Sequence, residues 1–433
     1  MSLRLWGSLL TLCVLGLTMK AALALPVYAP VKAEAYVPRD GMNNVLAKLQ
    51  AGKEVRIAYF GGSITAANGW RPKTLAWFRQ SYPKAKISEI SAAIGGTGSN
   101  LGAFRYGQDV LAKKPDLVFV EFAVNDGSDP VEQIWRNMEG IVRQTWKADP
   151  TTDLCFVYTF RVGYENDLKT GMNPRAASAD EMLAAYYGIP AINVALPIVE
   201  LANAGKLIYA PVKDAQGNAQ PAPDGVTLFT ADGVHPLDAG HELYTKTISE
   251  AITAMTATAT APKAHILLAP FVADNAEDAK QAPIEASMLS AGWTKLSEKE
   301  GLGKNFHSLM PTLWEANKPG ETITFKFKGT AAQVYELMGP DGAYVKITLD
   351  GVARKPIALF DKYCTYYRLN TLVIGDKLAD TVHTVTLEIM PEQPDRSSVV
   401  NLEKDKPGFD PKKYDGTGFR AGAILLRGDI VKD

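Results

Sequence analysis

The chain has 433 residues, of which 46% are hydrophobic and 21% charged. That length exceeds what a single core usually organises, so two domains are expected, and the composition is that of a globular protein rather than a disordered one. Lys plus Arg number 46 against 47 for Asp plus Glu, a balance that gives no electrostatic case for nucleic acid or an anionic membrane surface as partner.

Residues 1–24 stand apart. Arg4 precedes the apolar stretch WGSLLTLCVLGLTM, which is short for a membrane span, and Ala22-Leu23-Ala24 forms a small-x-small cleavage pattern. This predicts a signal peptide over 1–24, a mature chain starting near Leu25, and a secreted or periplasmic protein without a membrane anchor. Lys20 departs from the usual pattern close to the cut, and Leu12 before Cys13 disfavours lipid attachment there. Two cysteines remain. Cys155 lies in the apolar run LCFVYTF and reads as a buried thiol; Cys364 falls in the other expected domain, so a disulfide between them is disfavoured although export permits one.

From Lys53 to about Met255, short apolar runs alternate with longer amphipathic ones. VRIAYF, ISEISAA, DLVFVEFAV, LCFVYTF and AINVA read as strands, several of them apolar without alternation, as when both faces of a sheet are covered. RPKTLAWFRQSY, NLGAFRYGQDVLAKK, PVEQIWRNMEGIVRQTWK and SADEMLAAYYG carry helical spacing, with Ile134, Met138, Ile141 and Val142 on one face, and a helix after Pro236 closes the unit. The pattern predicts a five-stranded parallel sheet flanked by helices over residues 25–255. TATATAPKA, within the expected linker 256–264, is small and proline-broken. Over 265–433 the period becomes two: Ile323, Phe325 and Phe327 alternate with polar neighbours, as do Val345, Ile347 and Leu349, and Val385, Leu387 and Ile389, with turns at Asp341-Gly342 and Asp350-Gly351. This predicts a mostly antiparallel β-sandwich.

The chemistry-bearing residues follow the predicted strands. YFGGSIT delivers a strand into Gly61-Gly62 and presents Ser63 at the carboxyl end of a parallel strand, where open α/β sheets place ligands; alone, Gly-Gly-Ser is equally ordinary loop chemistry. IGGTGS after the second strand offers a backbone N–H at Gly96, and Asn125-Asp126 follow the third. FTADGVHPLDAGH supplies Asp232 and His235, close enough for the carboxylate to reach the imidazole Nδ1. A second Asp-x-x-His, Asp238 to His241, lies in the first helical turns and reads as structural.

These segments together resemble the four blocks of the SGNH hydrolases, also called GDSL esterases, over residues 53–255. Ser63 matches the nucleophile block, Gly96 the glycine block, Asn125 the asparagine block, and Asp232 with His235 the last. Gly62 stands where the name motif has Asp, and Ala123 where a glycine often precedes the asparagine. The resemblance implies a flavodoxin-like sheet, a Ser63-His235-Asp232 triad, an oxyanion hole from the N–H groups of Ser63 and Gly96 plus the Asn125 amide, and no cofactor. Fusion to a β-sandwich resembles carbohydrate esterases, so the expected substrate is an acylated glycan losing O-acetyl groups. A lipase or general acyl esterase is the alternative, though no apolar lid is evident outside residues 1–24; an α/β-hydrolase is disfavoured by Thr65 at the fifth position of GGSIT and by the short Asp232-His235 step. A glycan-binding protein with an inactive hydrolase domain is the reading from another class. Isolated His265, His307 and His383 and the loop NDGSD lack metal-ligand spacing, so no metal is expected. FDKYCTYYRLN gathers Tyr363, Tyr366, Tyr367 and Arg368, half of it read as β core and half as a surface suited to stacking on sugar rings.

Overall fold

The computed structural model describes residues 25–212 and 214–432; the expected signal peptide lies outside the described residues. The first sheet joins β1 (Tyr36–Val37), β2 (Glu54–Gly61), β3 (Lys86–Ser91), β4 (Leu117–Glu121), β5 (Asp153–Tyr158) and β6 (Ala191–Asn193) in the order β1-β6-β5-β4-β2-β3. Strands β2 to β6 are parallel. The difference from a five-stranded sheet is β1, an antiparallel edge of two residues too short to show a period. Because β2 has β3 on one side and β4 on the other, the chain reverses its winding direction at β2 and leaves a crevice beyond its carboxyl end.

Helices α1 (Asn43–Gln50), α2 (Ser63–Ala66), α3 (Trp70–Ser81), α4 (Ser99–Asp109), α5 (Val131–Ala148), α6 (Glu165–Leu168), α7 (Arg175–Tyr187), α8 (Leu196–Asn203) and α9 (Asp238–Ala257) surround the sheet. Strand β4 shows how the layers form: all five residues are buried, with Leu117 and Phe119 facing one layer beside Trp70, Phe78 and Tyr244, and Val118 and Val120 facing the other beside Leu101, Ile134 and Met138. Cys155 and Cys364 are both buried and free.

After α9 the chain is pinned rather than loose. The Thr260 and Lys263 N–H groups donate to the Asn43 and Asn44 side-chain oxygens, each at 2.9 Å, and the His265 N–H donates to the Pro150 carbonyl at 2.7 Å. The His265 ring stacks on Trp146 with centroids 4.7 Å apart.

A pair of two-residue strands, β7 (Leu207–Ile208) and β8 (Thr227–Leu228), completes the first domain. The second domain contains β9 (Ala279–Pro283), β10 (Thr294–Lys295), β11 (Trp314–Ala316), β12 (Thr322–Met338), β13 (Tyr344–Leu349), β14 (Val352–Ala353), β15 (Ile357–Ala358), β16 (Arg368–Gly375), β17 (Thr381–Ile389) and β18 (Phe419–Val431). All ten are linked through shared strands into one mostly antiparallel sheet, and the mostly antiparallel β domain expected over 265–433 is present. The link is β12: its first half pairs with β17, its second half with β16, and β18 runs along its other edge. The two sides of β12 and β18 have different cores. Ala332, Val334, Ile424 and Leu426 face the domain's own interior, whereas Tyr335, Leu337, Ala423 and Leu425 join one apolar cluster with Phe104, Trp135 and Met138 of the first domain.

Candidate active site

The crevice beyond β2 collects the residues picked out by sequence. Gly62 adopts extended backbone and Ser63 opens α2, so the hydroxyl is presented at the head of a helix that starts where the strand stops. Both glycines are required by their neighbours. A Cβ on Gly61 would crowd the Glu121 carbonyl and come within 2.9 Å of Thr65 Oγ1, and one on Gly62 would overlap the Asn125 side-chain oxygen. Gly62, the departure from the name motif, thus gives Asn125 room to lie beside the serine turn. Gly95 passes alongside, its built Cβ position 3.6 Å from Ser63 Cβ, and Gly96 has φ +74°, a left-handed conformation that favours glycine.

His235 Nε2 lies 2.8 Å from Ser63 Oγ, and His235 Nδ1 lies 2.6 Å from Asp232 Oδ2. The other Asp232 oxygen accepts the backbone N–H groups of Val234 and His235 at 2.9 and 2.8 Å, so the turn and the ring are fixed by one carboxylate. Burial works to raise the Asp232 pKa, but the hydrogen bonds from the His235 ring and the two N–H groups outweigh it and hold the carboxyl at about 2. The imidazole and the carboxylate are each about half exposed, so the array is reachable from solvent. His241, from the second Asp-x-x-His, is elsewhere: its Nδ1 accepts the Trp70 N–H at 3.2 Å at the start of α3.

Asn125 and Asp126 open a short 3₁₀ turn after β4. Asp126 is buried beneath it and accepts the Ser99 N–H at 2.9 Å, tying the glycine loop to the asparagine turn; burial raises its pKa to about 7. Glu121, at the end of β4, is also buried and raised to about 7 for the same reason.

The second domain supplies the facing wall. One cleft is lined by Gly96, Asn100, Asn125 and Asp129 from the first domain and by Arg368, Asn370 and Thr371 from β16; the adjoining one by Gly95, Gly96, Tyr363, Tyr366 and Arg368. Tyr363 and Tyr366 are exposed there. Tyr367 is not: its ring lies under the Arg420 guanidinium, 4.7 Å from carbon to centroid, and its hydroxyl donates to Asp341 at 3.2 Å. Asn370, not singled out from sequence, donates to the buried Glu336 at 2.6 Å. Its sequence signal is weak, one polar residue in a strand whose pairing is non-local. Glu121 carried a stronger signal, a lone carboxylate inside VFVEFAV. Among the described residues no group of three His, Cys, Asp or Glu is placed to hold a metal ion, and no helix is long and apolar enough to cross a membrane.

A parallel α/β sheet with serine, histidine and aspartate converging at its switch point is an arrangement that can support nucleophilic hydrolysis. Residues 59–243 match the model of the GDSL-like Lipase/Acylhydrolase family. Among solved structures it is similar to a two-domain esterase active on acetylated mannans, co-crystallised with mannopentaose: 21% identity, TM-score 0.69, covering 92% of this chain and 98% of that one. A second structure of a two-domain esterase active on acetylated mannans gives 20% identity and a TM-score of 0.68, covering 91% of this chain and 98% of that one. A third, a catalytic mutant of an acetylxylan esterase from Geobacillus stearothermophilus, is 15% identical with a TM-score of 0.35 and covers 46% of this chain and 94% of that one. At these identities the first two likenesses establish the fold of both domains. No curated protein matches the sequence.

Proposed function

We propose that the protein is an exported serine esterase that removes O-acetyl groups from a polysaccharide or oligosaccharide, with Ser63 as nucleophile, His235 as general base and Asp232 as its orienting carboxylate. The observation that carries the reading is the 2.8 Å approach of His235 Nε2 to Ser63 Oγ, with the adjoining residues Gly96 and Asn125 lining a cleft whose other wall comes from the second domain. His235 takes the serine proton as Oγ attacks the ester carbonyl, and Asp232, ionised at every working pH, stabilises the imidazolium that forms. The N–H of Ser63, in the first turn of α2 without an intrahelical acceptor, the N–H of Gly96 and the Asn125 amide serve as donors to the tetrahedral oxyanion. The imidazolium then protonates the departing sugar oxygen as its bond to the acetyl carbon breaks, and water repeats the sequence on the acetyl-enzyme to release acetate. Tyr363, Tyr366 and Arg368 serve as the platform for the sugar. The glycan assignment is supported by the likeness over both domains to an esterase active on acetylated mannans, and export by the sequence of residues 1–24.

The test is acetate release from a panel of acetylated glycans, mannans and xylans among them, beside p-nitrophenyl acetate. Ser63→Ala is expected to fold as the parent does and to lose turnover on every substrate by at least about a thousandfold, in line with loss of a nucleophile. Parent-like hydrolysis by that variant removes the assignment of Ser63. Activity on p-nitrophenyl acetate with no acetate released from any glycan removes the glycan reading and leaves a general acyl esterase.

A further inference from the structure

We propose that Glu121 is a positioning residue: a buried strut that ties the turn carrying Ser63 to the turn carrying His235 and so sets the approach of the two, an inference that rests on reading these two as nucleophile and base.

Both carboxyl oxygens of Glu121 are used, each toward a different side of the site. Oε2 accepts the Thr65 hydroxyl at 2.7 Å, and Thr65 belongs to α2, the helix that Ser63 opens. Oε1 accepts the Thr159 hydroxyl at 2.8 Å, just beyond the end of β5. From Thr159 the chain runs directly to the base. The Phe160 N–H donates to the Tyr244 hydroxyl at 2.7 Å, fixing the loop on α9, and the Val162 N–H donates at 2.7 Å to the carbonyl of Gly233, which lies between Asp232 and His235. The backbone of Glu121 adds a further tie, its carbonyl accepting the Gly62 N–H at 3.3 Å. Thr65, Glu121 and Thr159 are each 1% exposed or less, so water does not compete for these bonds.

The placement is costly unless it does something. A carboxyl at the end of a strand buried on both faces would be replaced without loss by an apolar side chain if filling space were its only task. Instead, two hydroxyl donors are provided, and Gly61 is kept free of a side chain where a Cβ would crowd both the Glu121 carbonyl and Thr65 Oγ1. Ser63 and His235 are far apart in sequence and come from two loops that share no strand. Their separation has to be held by something between them, and a misplacement of about 1 Å at such a site costs on the order of a hundredfold in rate.

The experiment compares Thr65→Val, Thr159→Val, their combination, Glu121→Met and Glu121→Gln, using p-nitrophenyl acetate turnover and the rate of Ser63 phosphorylation by diisopropyl fluorophosphate, with thermal unfolding as the control for folding. Thr65→Val and Thr159→Val are each expected to lower kcat about tenfold with KM within twofold, and the double variant to be no worse than either single one, because a strut cut at one end is already cut. Glu121→Met follows the double variant, whereas Glu121→Gln, which still bridges two hydroxyls, stays within about threefold of the parent. The serine-directed reagent slows in the same order. If the valine variants and Glu121→Met fold but turn over at the parent rate, if their losses appear in KM rather than kcat, or if the two valine effects multiply, the strut is refuted. Failure of the serine assignment itself is separate: it shows as parent-like turnover by Ser63→Ala.

Discussion

At the scale of single residues, three buried carboxyls give the protein an unusual acid-base character. Glu121, Asp126 and Glu336 are each raised to about 7, in every case chiefly because burial penalises the charged form. In the unfolded chain such groups titrate near 4. Between roughly pH 4 and 7 the folded state therefore holds protons on these three groups that the unfolded state has released, and their contribution makes stability fall as pH rises through that window; burial raises Asp180 in the same sense. Asp232, held at about 2, acts in the opposite sense, but its contribution is complete by about pH 4, once the unfolded carboxyl has also ionised. Urea unfolding is accordingly expected to show lower stability at pH 8 than at pH 5. Glu336 isolates the effect, since it belongs to β12 of the second domain and Gln at that position can still accept from Asn370. A shift from 4.5 to about 7 corresponds to about 3 kcal/mol at most, so Glu336→Gln is expected to stabilise the protein by about 1–3 kcal/mol at pH 8 and to be nearly neutral at pH 5. Equal effects at the two pH values would show that Glu336 carries no retained proton. The same residues mark the edge of what sequence discloses. Ser63, Gly96, Asn125, Asp232 and His235 were legible because each sits in a short segment of distinctive turn chemistry. Glu121 shows in the sequence only as a lone carboxylate in an apolar run, and the roles of Glu121 and Glu336 are not legible there, because partners such as Thr159 and Asn370 are brought to them by strand pairing and chain crossings.

At the scale of elements, periodicity located what was long and missed what was short. The helix read over 130–147 is α5, Val131–Ala148, because its buried face recurs over more than four turns. Strand β1, with two residues, has no period to read. Strand β12 is the instructive case. Its first half shows the expected alternation at Ile323, Phe325 and Phe327, but from Ala331 onward both sets of side chains are buried, one against its own domain and the other against the first domain, so the period disappears from the sequence while the strand continues. The changeover coincides with a register shift after Gly329. Gly329 pairs with Gly428 across the two strands, with φ of +158° and +138°, and a Cβ on either would overlap the backbone of the other strand. This glycine pair lets β12 and β18 approach closely where the second domain meets the first. Gly428→Ala is therefore expected to destabilise the protein by about 3 kcal/mol or more, since no flexible side chain is available to move aside. Chemical unfolding checks this, and a loss below about 0.5 kcal/mol would show that the strands separate without strain.

At the scale of the whole molecule, the accessory domain is part of the same folded body as the catalytic one. Phe104, Trp135 and Met138 share a continuous apolar cluster with Val272, Met310, Tyr335, Leu337 and Leu425, and charged groups close its margin: Arg136 bridges Asp274 at 2.6 Å and Asp376 at 2.8 Å, and Lys147 reaches Glu277 at 2.9 Å. An interface between loosely tethered domains is more polar and leaves each domain's own core complete. Here the helix layer of α4 and α5 has its outer face covered by the second domain, so a chain ending at residue 264 exposes aromatic and aliphatic surface that no other element replaces. Calorimetry of the full chain is expected to show a single cooperative transition, and residues 25–264 alone to be insoluble or to bind a hydrophobic dye. Two separate transitions, or a soluble, dye-silent fragment, would show that the halves fold independently. The coupling has a consequence for the cleft. Because β16, which brings Arg368, Asn370 and Thr371 to the Gly96–Asn125 wall, is hydrogen-bonded to the half of β12 buried on both faces, the two walls are held at a fixed spacing by the same apolar contacts that keep the protein folded.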